Sequence, residues 1–417
     1  MEHADFTDQT LDVGLEELDS NELVRLKNLI QKKDPGSFLL TLPEQEMLRA
    51  LGILKQKQDS IRISIAGLIL LGKETILHSI LPSAEVDYLH FRNETEYDKR
   101  IDCAKPFFSL LETITKAIQE YNKTITLKIG LFDYEIPDFP VEVYQEALLN
   151  GLIHRDYSLL SPIYVRHYFD RLEISTPGAF LSGVTSENIL SHEPMARNPL
   201  LNSILHQIGL VEKAGIGVKR MFTTLLGLGK EPPHFETKEQ FVRVVIRDGN
   251  VDKPFATFIA QCSKEGKELG LTELLVLSYL KRNRELDIKT AEQLLQRPEY
   301  KVKEVLNSMI EWGILEPFGQ TRGMIYRLSK EIYTQLRKSV EYRLHRRAEV
   351  AYAENLIMDF LKENGYITNE ICRTLLRINR GQARYLLSRL VKKGKLTEPA
   401  KGRNARYFRR SSLSANG

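Results

Sequence analysis

The chain has 417 residues, 42% of them hydrophobic, which suffices for about two to four domains with their own cores. No apolar run approaches the roughly 18 residues of a membrane span, and MEHADFTDQT lacks the basic-then-apolar order of a secretory signal, so a cytoplasmic location is expected. Net charge is +4, but residues 251–417 carry 32 Lys and Arg against 19 Asp and Glu, while the remainder carries 27 against 36; a polyanionic partner is expected at the C-terminal end alone.

Residues 1–60 read as a helical N-terminal segment. ELVRLKNLIQ has helical periodicity, and LPEQEMLRALGIL begins with a proline where a helix starts. Residues 61–137 read as a small α/β lead-in. IRISIAGLILLGK is a strand running into an apolar segment, SAEVDYLHFR is another strand, and KPFFSLLETITKAIQEYN is an amphipathic helix. Cys103, Cys262 and Cys372 are far apart and form no CxxC pair, so neither a disulfide framework nor a zinc knuckle is supported.

GLILLGKE has the spacing of a P-loop at Gly67, Gly72 and Lys73. Glu74 stands where a magnesium-binding Ser or Thr belongs, and Leu-Ile-Leu-Leu between the glycines demands burial rather than exposed amides. A buried segment ending in a glycine turn is the better reading. Without a P-loop, a translocating helicase is not expected.

From Asp138 the pattern sharpens. DFPVEVYQEALLNGLIHRD is a helix with Pro140 near its start. SPIYVRHYF and LEISTPGAF alternate as two strands of a hairpin. NPLLNSILHQIGLVEKAGIGVKRMFTTLLGLG is a helix, a glycine-rich turn and a second helix, and QFVRVVIRD is a closing strand. This order fits an α/β sandwich over residues 138–250. In the first helix Glu146, Asn150 and His154 recur at steps of four, so an acid, an amide and an imidazole share one face.

After a linker, residues 255–335 give three helices and a turn leading into a strand. Residues 336–411 give a charged helix and then the same grammar again, ending in the basic stretch EPAKGRNARYFRR. Helix, short helix, longer helix and hairpin, used twice, reads as two winged helix-turn-helix domains, with two helical protein-docking modules as the alternative. Between Arg373 and Arg410 there are 13 Lys and Arg against one acid, Glu398, too lopsided for a solvated face of mixed signs. Asn379 is placed as an N-cap. Arg380, Gln382, Arg384 and Arg389 lie off the apolar face of the following helix, and Lys401, Arg403 and Arg406 lie in the wing. Double-stranded DNA is the expected partner of this end, and the charged helix near 337–347 is the candidate arm of a homodimer.

EALLNGLIHRDYS, IYVRHYFDRLEISTPGAF, RNPLL and GLVEKAGIGVKRM appear in the order in which they resemble a divergent GHKL (Bergerat-type) module. It belongs to the family of RecG-related ATP-binding proteins and transcriptional regulators. The resemblance covers roughly residues 10–250 and implies an α+β multidomain chain: a GHKL-like α/β sandwich preceded by a small α/β region and followed by two winged helix-turn-helix domains. It implies ATP and Mg²⁺ as ligands, Asn150 as the magnesium ligand, and Glu146 as the general base. His154 and Arg155 would stand against phosphate oxygens, and Gly215, Gly217 and Lys219 would lie at a phosphate-cradling helix start. Ser175 and Gly178 fall in the stretch where the family has Asp-x-Gly-x-Gly. Ser175 replaces that Asp and Pro177 a glycine, which leaves adenine selectivity and turnover open. The Alba-like, Schlafen-related domain common at the start of family members is not found in this sequence. The resulting expectation is a DNA-binding transcriptional regulator with a nucleotide sensor. Its alternatives are an ATP-hydrolysing enzyme acting on DNA in defence or repair, and a scaffold with an empty pocket.

Overall fold

The computed structural model describes residues 5–57, 60–129, 132–212, 215–248, 251–319, 324–336, 339–376, 378, 380–397 and 405–410, the side chains of 129, 132, 339–349 and 352 excepted. It is a mixed α and β chain that divides into two compact units, Met1–Ala256 and Thr257–Gly417.

The first unit begins with β1 (Thr10–Leu11), α1 (Ser20–Lys33), α2 (Glu44–Ala50), β2 (Leu54–Lys57), β3 (Ser60–Ser64), α3 (Ile65–Leu71) and α4 (Glu74–Ile80). β1, β3 and β2 form a small sheet in that order. The P-loop look-alike is helix α3. Every residue of it is buried, the Ser64 hydroxyl caps it by accepting from Gly67 N, and a Cβ at Gly67 would meet the Ile53 carbonyl at 2.9 Å. Those amides serve a helix, and no phosphate can reach them.

Next come β4 (Val86–Phe91), β5 (Tyr97–Cys103), α5 (Phe107–Tyr121), β6 (Thr124–Ile129), β7 (Phe132–Pro137), α6 (Val141–His154), β8 (Ile163–His167), β9 (Arg171–Pro177), α7 (Pro199–Gln207), α8 (Ile216–Gly227), β10 (His234–Lys238) and β11 (Phe241–Arg247). One six-stranded sheet runs β10-β11-β9-β8-β4-β5, so it draws strands from both sides of residue 137. Within this sheet only β4 and β8 pair in parallel, among the described residues. The register sets Phe235, Val244, Ile174, Val165, Tyr88 and Ile101 in one row across all six strands. Because neighbours along a strand face opposite ways, this parity defines the helix-covered face. α6 packs there: a Cβ at Gly151 would touch Ile163, Ile174 and Thr176. The next row, Tyr164, Ser175 and Arg243, faces away.

α9 (Lys253–Lys264) follows. The second unit then has α10 (Leu271–Arg282), β12 (Leu286–Asp287), α11 (Ile288–Leu295), α12 (Glu299–Glu311), β13 (Leu315–Phe318) and β14 (Ile325–Leu328), with the strands ordered β12-β14-β13. After these come α13 (Lys330–Gln335), α14 (Ser339–Asn364), β15 (Tyr366–Ile367), α15 (Asn369–Leu376), α16 (Arg380–Lys392) and β16 (Tyr407–Phe408), which pairs with β15. Ile357, Leu361, Ile367, Cys372, Leu386, Leu387 and Leu390 form the core of this last part. Among the described residues, no helix is long and apolar enough to cross a membrane.

Candidate functional site

α6 starts where Pro140 occupies the cap position, its fixed φ suiting a helix entry. Val143, Tyr144, Ala147, Leu148, Gly151 and Leu152 are buried at three- and four-residue steps, which is the stripe a helix lays on a sheet. Glu146, Asn150 and His154 run beside that stripe. They line a cavity of about 350 Å³, within the usual size of a small-molecule site. The cavity is also lined by Thr176 and Gly178 from the end of β9, by residues of the 179–197 connection such as Phe180 and Met195, by Val242 and Val244 of β11, and by Gly215, Gly217, Lys219 and Arg220 at the start of α8.

Two glycines make this enclosure. Gly215, the cap of α8, has φ +61, a left-handed conformation in which glycine carries no Cβ penalty. Gly217 has no such dihedral, yet a Cβ there would stand 1.8 Å from Glu146 Oε1. The Glu146 carboxylate therefore occupies the space that a side chain at 217 would fill. Its Oε1 accepts from Asn150 Nδ2 at 3.0 Å, and its Oε2 accepts from Arg220 Nη2 at 3.1 Å. With the amide nitrogen turned to Glu146, the Asn150 oxygen is the end left for a cation. Among the described residues, no three His, Cys, Asp or Glu side chains are grouped to hold a metal. One hard amide oxygen, beside a cavity large enough for phosphates and water, nevertheless fits magnesium, which keeps several waters and takes few protein ligands.

His154 closes the row. Burial first, and then the Arg197 charge, push its imidazole down to about 4, so it is neutral near pH 7 and offers one N–H rather than a charge. Arg197 and Asn198 close the end of α6, where carbonyls lack helical partners. Arg197 Nε donates to His154 O at 3.0 Å. Asn198 Nδ2 donates to Ile153 O at 2.7 Å and to Arg155 O at 2.9 Å. Asn198 occupies the cap position of α7, but its side chain makes no bond to that helix. Asp5 caps α7 instead, its Oδ2 accepting from Leu200 N at 2.7 Å.

Seven of the nine residues expected at a nucleotide site meet at this cavity: Glu146, Asn150, His154, Gly178, Gly215, Gly217 and Lys219. Two do not. Arg155 is fully buried, and its guanidinium donates to the carbonyls of Glu85, Leu159 and Ser161. It pins the end of α6 to the start of β8. Ser175 faces the other side of the sheet, where its hydroxyl accepts from Arg166 Nη1 at 3.2 Å. Thr176, one residue on, is the hydroxyl that lines the cavity. The alternation of Leu172 and Ile174 carries that signal in the sequence. Arg220 directly follows Lys219 after the glycines, but its bond to Glu146, 74 residues away, has no local signal in the sequence.

Residues 161–246 match the family model described as "Putative ATP-dependent DNA helicase recG C-terminal". This segment is thus similar to a RecG-related ATPase-like module. It holds β8 to β11 with α7 and α8, and the α6 row lies just before it. Residues 2–87 match a second model, "Domain of unknown function (DUF8451)". Among solved structures, the DIP2311 protein from Corynebacterium diphtheriae is 24% identical with a TM-score of 0.65, over 81% of this chain and 66% of that one. That likeness is one of fold, and the chain spans just under two thirds of the DIP2311 protein. No functionally curated protein matches.

In the second unit, Arg380 and Arg384 are exposed on α16, and Gln382 is half-buried beside them. Arg389 is not a free surface cation. Its Nε donates to Glu354 Oε1 at 2.8 Å, and Lys393 shares the same buried carboxylate. Arg406 is exposed and lies over the Tyr366 ring, 4.4 Å from its centre. Asn379, Lys401 and Arg403, and the side chains of the proposed dimer arm, lie outside the described residues.

Proposed function

We propose that this protein is a DNA-binding transcriptional regulator whose first unit senses a nucleotide, ATP with Mg²⁺. The observation that carries the reading is the meeting of the Glu146, Asn150 and His154 row with the glycine start of α8 and Lys219 around one cavity, beside a RecG-related ATPase-like module. Backbone amides at a helix start and a lysine suit polyphosphate. Magnesium, when bound through Asn150, supplies charge neutralisation of the phosphates. Glu146 stands beside that amide as the candidate base, oriented by it. Thr176 takes the base-reading place in this account, and its hydroxyl both donates and accepts.

The DNA-binding part of the proposal rests on the second unit. The order α10, β12, α11, α12, β13, β14, and again α14, β15, α15, α16, β16, supports winged-helix modules at 255–335 and 336–411. Arg380 and Arg384 on α16 and Arg406 on β15's partner side supply cations for phosphate and base edges. Binding of ATP, ADP and GTP, each with and without Mg²⁺, tests the sensor, and duplex binding with and without the nucleotide tests its coupling to DNA. A protein that takes no nucleotide and retains no duplex at about 50 mM salt would be a scaffold. The pairing of Glu146 with Asn150 also favours a second reading, slow ATP hydrolysis, which phosphate release from purified protein tests directly.

A further inference from the structure

Arg220 lines the cavity four residues into α8 and is held between two acids. Its Nη2 donates to Glu146 Oε2 at 3.1 Å and its Nη1 to Glu212 Oε1 at 3.0 Å. The two partners differ. The Glu146 side chain is 15% exposed, against 53% for Glu212, so Glu146 has few other groups or waters to turn to. The other oxygen of Glu146 is taken by Asn150, and Gly217 leaves the space for the carboxylate. The candidate base thus accepts from both sides.

A polyphosphate entering between Lys219 and Asn150 brings several negative charges to this cluster. Guanidinium takes phosphate in a two-point hydrogen bond, and phosphate carries more charge than one carboxylate. If Arg220 kept Glu146, phosphate oxygens whose charge one magnesium offsets only in part would face a carboxylate at short range in a partly desolvated space, which Coulomb repulsion disfavours.

We propose that Arg220 is a positioning residue that exchanges partners, holding Glu146 when the phosphate end is empty and moving to the terminal phosphates of a bound nucleoside triphosphate. The exchange leaves Glu146 on Asn150 alone and free to turn toward water. This rests on the nucleotide reading above. It adds a coupling that the reading alone does not require: Glu146 and phosphate compete for one guanidinium, so removing the claim of either strengthens the other.

The test is a binding cycle on the full chain, with ATP, ADP and AMP titrated in Mg²⁺ against wild type, Glu146→Gln, Arg220→Ala and the double variant. Glu146→Gln tightens ATP binding about three- to fivefold, a size set by the partial exposure of the pair, and AMP binding stays unchanged. In the Arg220→Ala background the same substitution gains less than about twofold. Glu146→Ala, which also removes the carboxylate, tightens ATP binding in the same direction and serves if Glu146→Gln fails to fold. Glu212→Gln leaves ATP affinity within about twofold, because Glu212 is the exposed anchor. Equal gains in both Arg220 backgrounds would mean simple loss of a negative charge and would sink the exchange while leaving the nucleotide reading intact. No gain with either Glu146→Gln or Glu146→Ala would sink it too. Wild type that binds none of the three nucleotides overturns the nucleotide reading and the exchange together.

Discussion

Asn150 donates its side-chain amide to Glu146 one turn back along α6, at 3.0 Å, so the two polar residues of the row are joined before any ligand arrives. The bond orients both. It aims the amide oxygen of Asn150 away from Glu146 and anchors one oxygen of the carboxylate.

That orientation separates two roles by substitution. Asn150→Ala weakens ATP binding in Mg²⁺ about tenfold or more, and much less in EDTA, because a magnesium ligand matters only when magnesium is present. Calorimetry in both buffers checks this, and equal losses in the two would remove Asn150 from the metal. Glu146→Gln eliminates phosphate release while nucleotide is still bound.

The row also predicts a pH dependence. His154 is pushed down to about 4 by burial and Arg197, and His167, inside the sheet's helix-covered face, is pushed down to about 4 by burial and His90. The unfolded chain takes up protons on both as pH falls below the ordinary 6.5, and the folded chain does so only near 4. Their contribution is therefore complete above pH 6.5 and is lost between 6.5 and 4. Asp87 works in the opposite sense, since burial, then Asp102 and Glu85, raise it to about 6. Unfolding measured across this range loses stability toward acid, and His154→Gln and His167→Gln each flatten the slope. A slope unchanged in both variants contradicts the assignment.

Arg155 distinguishes structure from ligand contact. It binds three backbone carbonyls from full burial, so Arg155→Met costs about 2–4 kcal/mol of stability by leaving those acceptors without donors. Urea unfolding reads this. Affinity for ATP, measured well below the unfolding transition, changes less than about twofold; a large affinity loss without destabilisation would return Arg155 to the phosphates.

On α16 the cations divide likewise. Arg380 and Arg384 are exposed, whereas Arg389 is tied to buried Glu354. Replacing Arg380 and Arg384 together by Ala lowers the salt slope of duplex binding by about one to two. Arg389→Ala lowers the slope less and the melting temperature more, because it leaves Glu354 with Lys393 alone. Salt titrations on the full chain, paired with thermal melts, decide between the two behaviours. An unchanged slope in the double variant removes α16 from the DNA.

What the sequence determined by itself is local and periodic. The steps of four in EALLNGLIH are one face of a helix wherever that helix lies, and the alternation in IYVRHYF and LEISTPGAF is a strand in any fold. The burial demanded by Leu-Ile-Leu-Leu rules against the P-loop from the sequence alone, although the boundary between β3 and α3 within that run is not legible there. The tertiary structure decided whatever depends on which distant segments meet. Pairing of β4 with β8 draws β4 and β5 into the sheet of the site across residue 137. Arg155 follows His154 directly, but the chain leaves the helix at that residue and turns its guanidinium inward to orphaned carbonyls. Strand register sends Ser175 to one face and Thr176 to the other. Arg220 finds Glu146 only because α8 starts on two glycines against α6, and a contact between residues 74 apart leaves no trace in either neighbourhood of the sequence.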